Sequence, residues 1–158
     1  MCETGGMGRP SPWTVMDLTA AERALLTGIR QWFRTGTAGA MASMRIGLNI
    51  AGVPNTALLP LFALLGAFSV ANAARPDVCA PSCTRVSADE AAMLDALAAI
   101  QGGDGDTAAQ LFDRWLPVMA LSLATDALRE LAGILDAARI HLPRRRPARL
   151  VSFALAAE

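Results

Sequence analysis

Cys79 and Cys83, separated by three residues that include Pro81, are the side chains in this sequence best spaced for chemistry. Two thiolates that close supply half of a tetrahedral zinc site. The missing ligands would have to come from Cys2, His141 or the carboxylates of Asp77, Asp89 and Glu90, a mixed donor set that zinc uses less often. A redox pair is the second chemistry, although the usual motif has two intervening residues and opens a helix. The plainest reading is two ordinary loop cysteines. Zinc is the one cofactor the spacing admits, with Cys79 and Cys83 as its ligands.

His141 is the only histidine, so the multi-histidine centres of metallohydrolases cannot be built. Nothing in the sequence marks a cysteine as activated for a Cys–His nucleophile pair. Gly102, Gly103, Asp104, Gly105 and Asp106 precede a helical pattern and could be weighed as a phosphate cradle. Two acids there repel anions, and a chain without lysine has no P-loop lysine. A helix connection fits better. No acid, base and nucleophile assemble with supporting spacing, so the sequence leans away from an enzyme.

Charge is the remaining functional signal. The chain balances 14 arginines against 14 acids, but unevenly. Residues 77–138 carry ten acids and three arginines, a net of −7, whereas residues 139–158 carry a net of +4. Overall neutrality argues against a dedicated nucleic-acid binder, whose phosphate contacts need excess cation. The acids Asp126, Glu130 and Asp136 flank the longest apolar helical stripe, and Arg144, Arg145, Arg146 and Arg149 follow it. An acidic helix face beside a basic tail suits a protein partner, or a homodimer in which each tail meets the other copy. The alternative is a solvated helix face with a loose tail.

The elements that must position these residues are helical. Alanine fills 32 of 158 positions, β-branched residues are sparse, and no convincing period-two pattern runs before the C-terminus. Residues 1–16 are Gly/Pro-rich and aperiodic, and read as a disordered leader. Thr19 and Glu22 have capping-box spacing and open a helix over 20–34, with Arg30 and Arg34 near its negative pole. A flexible link follows over 35–40, then a short helix over 42–50. Asn55 or Thr56 would cap a helix over 57–71, with Leu58, Leu61, Phe62, Leu65 and Phe68 inward. Ser87 and Glu90 repeat the capping box before a helix to Gln101. Asp106 or Thr107 would cap the next, and Pro117 would begin or kink another. Leu121, Ala124, Leu128, Leu131, Leu135 and Ala138 then alternate at spacings of three and four.

The resulting expectation is an all-α, Ala/Leu-rich bundle of five or six helices over 17–143, with a basic and apolar tail over 144–158. Residues 46–74 contain no charge across 29 positions. Three readings stand for that stretch: a core helix, a membrane span used by an accessory subunit, or a signal peptide if translation began at Met41 or Met44. The core helix is preferred, because Asn49, Pro54, Asn55 and Pro60 interrupt the run and its dense part is short. That places the protein in the cytoplasm. The function expected is a small non-catalytic interaction or regulatory domain, with the metal or thiol protein and the membrane subunit as alternatives.

Overall fold

Thr19 opens the first helix as its spacing predicts. Its hydroxyl accepts from the Glu22 amide at 3.3 Å, and Glu22 Oε2 accepts from the Thr19 amide at 2.7 Å. The fold is seen in a computed structural model, which describes residues 11–70 and 72–145. Helix α1 spans Ala20–Ile50 and is interrupted at Gly36, whose φ of 73° and ψ of −175° are not helical. The expected link over 35–40 thus narrows to one residue. Around it the two arms of α1 fold back on each other, because Met44 packs so close to Gly28 that a Cβ there would lie 2.9 Å from it. The second arm buries only Ala40, Met44 and Leu48, one residue per turn.

The apolar run is shorter as a helix than its sequence suggests. A 3-10 turn over Asn55–Ala57 leads into α2, Leu58–Gly66, and a second turn over Ala67–Ser69 ends it. Neither Asn55 nor Thr56 caps α2; Pro54 precedes the first turn and no side chain takes the cap. The closing 3-10 turn has tertiary support. It carries Phe68 into an aromatic cluster, 5.6 Å from Phe33, 5.9 Å from Phe112 and 6.1 Å from Trp115. Leu61 and Leu65 are buried with Leu64, while Leu58, Phe62 and Phe68 are half-buried at its margin. No helix of the described residues is long and apolar enough to cross a membrane.

Helix α3, Ala88–Gln101, starts from Ser87, whose hydroxyl accepts from the Glu90 amide. Helix α4, Gly105–Asp113, is capped by Asp104 rather than by Asp106 or Thr107. The reason is the loop: Gly103 takes φ of 79°, which turns the chain early and brings Asp104 Oδ1 to the Thr107 amide. Pro117 then serves as N-cap of α5, Val118–Ala137. Ala124, Leu128, Leu131 and Leu135 are buried along α5, with Leu121 half-buried.

α5 is the spine: α2 packs along it, and α3 packs against both α4 and α5. The outcome is an all-α bundle of five helices among the described residues. Its centre holds a gap of about 20 Å³ lined by leucines, Met93 and Phe112, no more than a water-sized void. That gap has no room for a ligand larger than water. The described part of the expected leader is structured: Trp13 and Val15 pack on the core, and Thr14 bridges Arg85. Residues 1–10 and 146–158, the remainder of the leader and tail, lie outside the described residues.

Candidate functional site

Arg30 is a helix-terminal cation by sequence position, yet its side chain is only 3% exposed. Arg30 lies on the face of the first arm of α1 that packs toward α3, not toward solvent. Its Nε donates to Glu90 Oε1 at 2.8 Å and its Nη2 to Glu90 Oε2 at 2.9 Å. The other donors reach the carbonyls of Cys83, at 2.7 Å, and Arg85, at 2.6 Å. Glu90 is 0% exposed and accepts further bonds from the amides of Cys79 and Ser87. Such a pair is tolerated in the interior because all three guanidinium nitrogens donate and each carboxylate oxygen accepts two bonds. Its product is a fixed loop over 77–87.

This network holds the cysteines by their backbones. Cys79 is a free thiol, so it is not joined to Cys83. Burial pushes the Cys79 thiol up, and the neighbouring Glu90 carboxylate adds to the rise. Both effects oppose the thiolate that a zinc ligand or redox nucleophile requires. Among the described residues, no three His, Cys, Asp or Glu side chains stand close enough to hold a metal ion. His141 is exposed at the end of α5, with Nδ1 3.4 Å from Asp136 Oδ1. The Gly103–Asp106 loop borders an open hollow of about 430 Å³ with Ile100 and Arg129. Asp104 Oδ1 already accepts from the Thr107 amide there, and its carboxylate opposes an anion in the loop.

The acidic residues singled out by sequence lie on the outer side of α5. Asp126 pairs with Arg129 at 3.2 Å, Glu130 is exposed, and Asp136 accepts from Gln101 Nε2 at 3.0 Å. Towards the start of the helix the same side carries Val118, Met119 and Leu123, exposed by 80%, 79% and 65%. Periodicity in the sequence identifies the inward stripe and gives no signal for these three, which lie outside it. Positions 119 and 123 are one turn apart, so Met119 and Leu123 form a continuous surface.

Among the described residues, Arg144 and Arg145 do not meet that face. Arg144 Nη1 binds Asp104 Oδ2 at 3.2 Å. Arg145 enters a cleft between the N-terminal segment, the start of α1 and α3. There it pairs with Glu22, donates to the Asp17 carbonyl at 2.9 Å, and lies 5.4 Å from the centre of the Trp13 ring. Glu22 is 1% exposed, so a residue read only as half of a capping box is also the buried counter-ion of the tail. Arg146 and Arg149 lie outside the described residues. Asp95 borders the same cleft, and its Oδ1 is buried without a hydrogen-bond partner. No sequence pattern would have joined Trp13, Glu22, Asp95 and Arg145, because 132 positions separate the ends of that set. Searches against protein-family models, curated proteins and solved structures find no match to this chain.

Proposed function

We propose that this chain is a non-catalytic protein-interaction domain whose docking surface is the outer side of α5. The carrying observation is the exposure of Val118, Met119 and Leu123 on a helix whose opposite side is core. Isolated apolar side chains are ordinary on a surface, but three together beside acidic Asp126 and Glu130 make a patch with a charged rim. A complementary surface carries apolar side chains flanked by cations. A second copy of the chain is the simplest such partner, since a two-fold axis pairs each patch with itself. The basic tail beyond Arg145 is the source of cations in that arrangement.

Sedimentation velocity at low and high salt, over a wide concentration range, tests this reading. The wild type is expected to associate, and the double variant Met119→Glu/Leu123→Glu to remain a monomer with unchanged helicity. A wild type that is monomeric at every concentration and ionic strength, and that yields no α5 crosslinks, would overturn it.

A further inference from the structure

We propose that the cleft holding Arg145 is a guanidinium-binding slot, that Arg145 is its internal ligand, and that an arginine of a basic peptide takes its place when this strap is displaced. The proposal concerns the cleft between α1 and α3, not the α5 surface, so either can fail without the other.

Three kinds of partner meet one guanidinium there, each suited to a different part of the group. The Glu22 carboxylate takes Nη1, the Asp17 carbonyl takes Nη2, and the Trp13 ring lies near the face of the cation. A planar fork of fixed donors suits such an arrangement better than the point charge of a lysine. The slot also demands a cation. Glu22 is 1% exposed, and with Arg145 withdrawn its one remaining bond is the Thr19 amide. A carboxylate so buried and unpaired is strongly disfavoured. Leu18, Val86, Ala91 and Leu94 form apolar walls, and Arg145 leaves only about 10 Å³ free between them.

Acceptor capacity in the cleft exceeds what the strap uses. Asp95 Oδ1 is buried at its edge and unpartnered, although Arg144 acts on this carboxylate from nearby. Among the described residues the strap is held at few points. Leu142 is buried and its amide donates to Gln101 Oε1 at 2.8 Å, which fixes the chain just before Pro143. Among the described residues beyond that point, the ties are Arg145 in the slot and the Arg144–Asp104 pair, whose side chains are 44% and 38% exposed. An exposed pair of that kind contributes little. Exchanging one arginine for another leaves the slot chemistry unchanged. The internal copy prevails because a short tether gives it an effective concentration on the order of millimolar. Removing it should expose the intrinsic affinity of the slot.

The test uses a fluorescein-labelled peptide with the sequence of residues 141–150 and the full-length protein, read by anisotropy. Arg145→Ala is expected to bind the peptide saturably, and the wild type at least ~10-fold more weakly because its own strap competes. Adding Glu22→Gln to Arg145→Ala should abolish binding, since glutamine preserves the capping box but not the charge. A peptide with lysine in place of every arginine should bind poorly. Equal binding to wild type, Arg145→Ala and the Glu22→Gln double variant would overturn the proposal, as would no binding to a folded Arg145→Ala. If Arg145→Ala loses its helical signal, Arg145→Lys takes its place. That variant keeps a cation in the slot and should bind the arginine peptide more tightly than wild type; affinity no better than wild type would overturn the proposal equally.

Discussion

A buried charge is tolerated only where its partners are complete, and Arg30 with Glu90 shows what completeness requires. Each side chain satisfies the other and also the backbone of the loop over 77–87. Removing either partner strands the other in the interior. Arg30→Met or Glu90→Gln should therefore each cost about 3–5 kcal/mol in urea unfolding. The double variant Arg30→Met/Glu90→Leu should recover much of that loss, because neither charge is then left alone. If the double variant is as unstable as the sum of the singles, the pair is not the cause. Glu90 also acts on the neighbouring cysteine: burial, and then the Glu90 carboxylate, raise the pKa of the Cys79 thiol above its ordinary value.

Among the elements, α1 owes its shape to one residue. Gly36 has positive φ with extended ψ, a region open essentially to glycine alone. Nothing lies within 4 Å of a Cβ built there, so a substitution meets backbone strain and no clash. Gly36→Ala should cost roughly 1–3 kcal/mol in urea unfolding. A neutral or stabilising effect would mean that the arms of α1 can straighten without loss. The turn matters downstream, because it returns Met44 to Gly28 and leaves Ile46 and Ile50 exposed by 58% and 83%. In α5 the division is between faces: the inward stripe builds the core, and the outward one carries the proposed interface.

For the molecule as a whole, pH acts through carboxylates that pull in opposite directions. Hydrogen bonds from Thr14 lower the pKa of Asp17 below its ordinary 3.8, and hydrogen bonds from Thr107 do the same for Asp104. Groups lowered in the fold contribute stability above their unfolded pKa, and that contribution is lost as pH falls through the folded value. Burial raises Asp95 instead, against the opposing pull of Arg144. Its contribution is complete below 3.8 and is lost as pH rises through its folded value. Melting temperature should therefore fall in acid, and Asp104→Asn should flatten part of that fall. Asp95→Asn should raise the melting temperature at pH 7 and make no difference near pH 3. A destabilised Asp95→Asn at pH 7 would show that the ionised Asp95 is paired and needed.

That the chain is helical, the caps at Thr19 and Ser87 and the inward stripe of α5 were legible in the sequence, because each rests on contacts within three or four residues. The bundle class follows from the same local signals, alanine richness and helical periodicity. What lay beyond reach were contacts between distant positions. Arg30 and Glu90 are 60 residues apart, and Glu22 and Arg145 are 123 apart. A charged residue's local role, as cap or helix-end cation, says nothing of whether the fold will bury it. The length of α2 was equally hidden, since an aromatic cluster and not its own apolar run decides where the helix yields to a 3-10 turn. Local periodicity determined which residues form helices. Tertiary packing alone decided which charges go inside and what they hold, because desolvation depends on neighbours that the chain brings together only when folded.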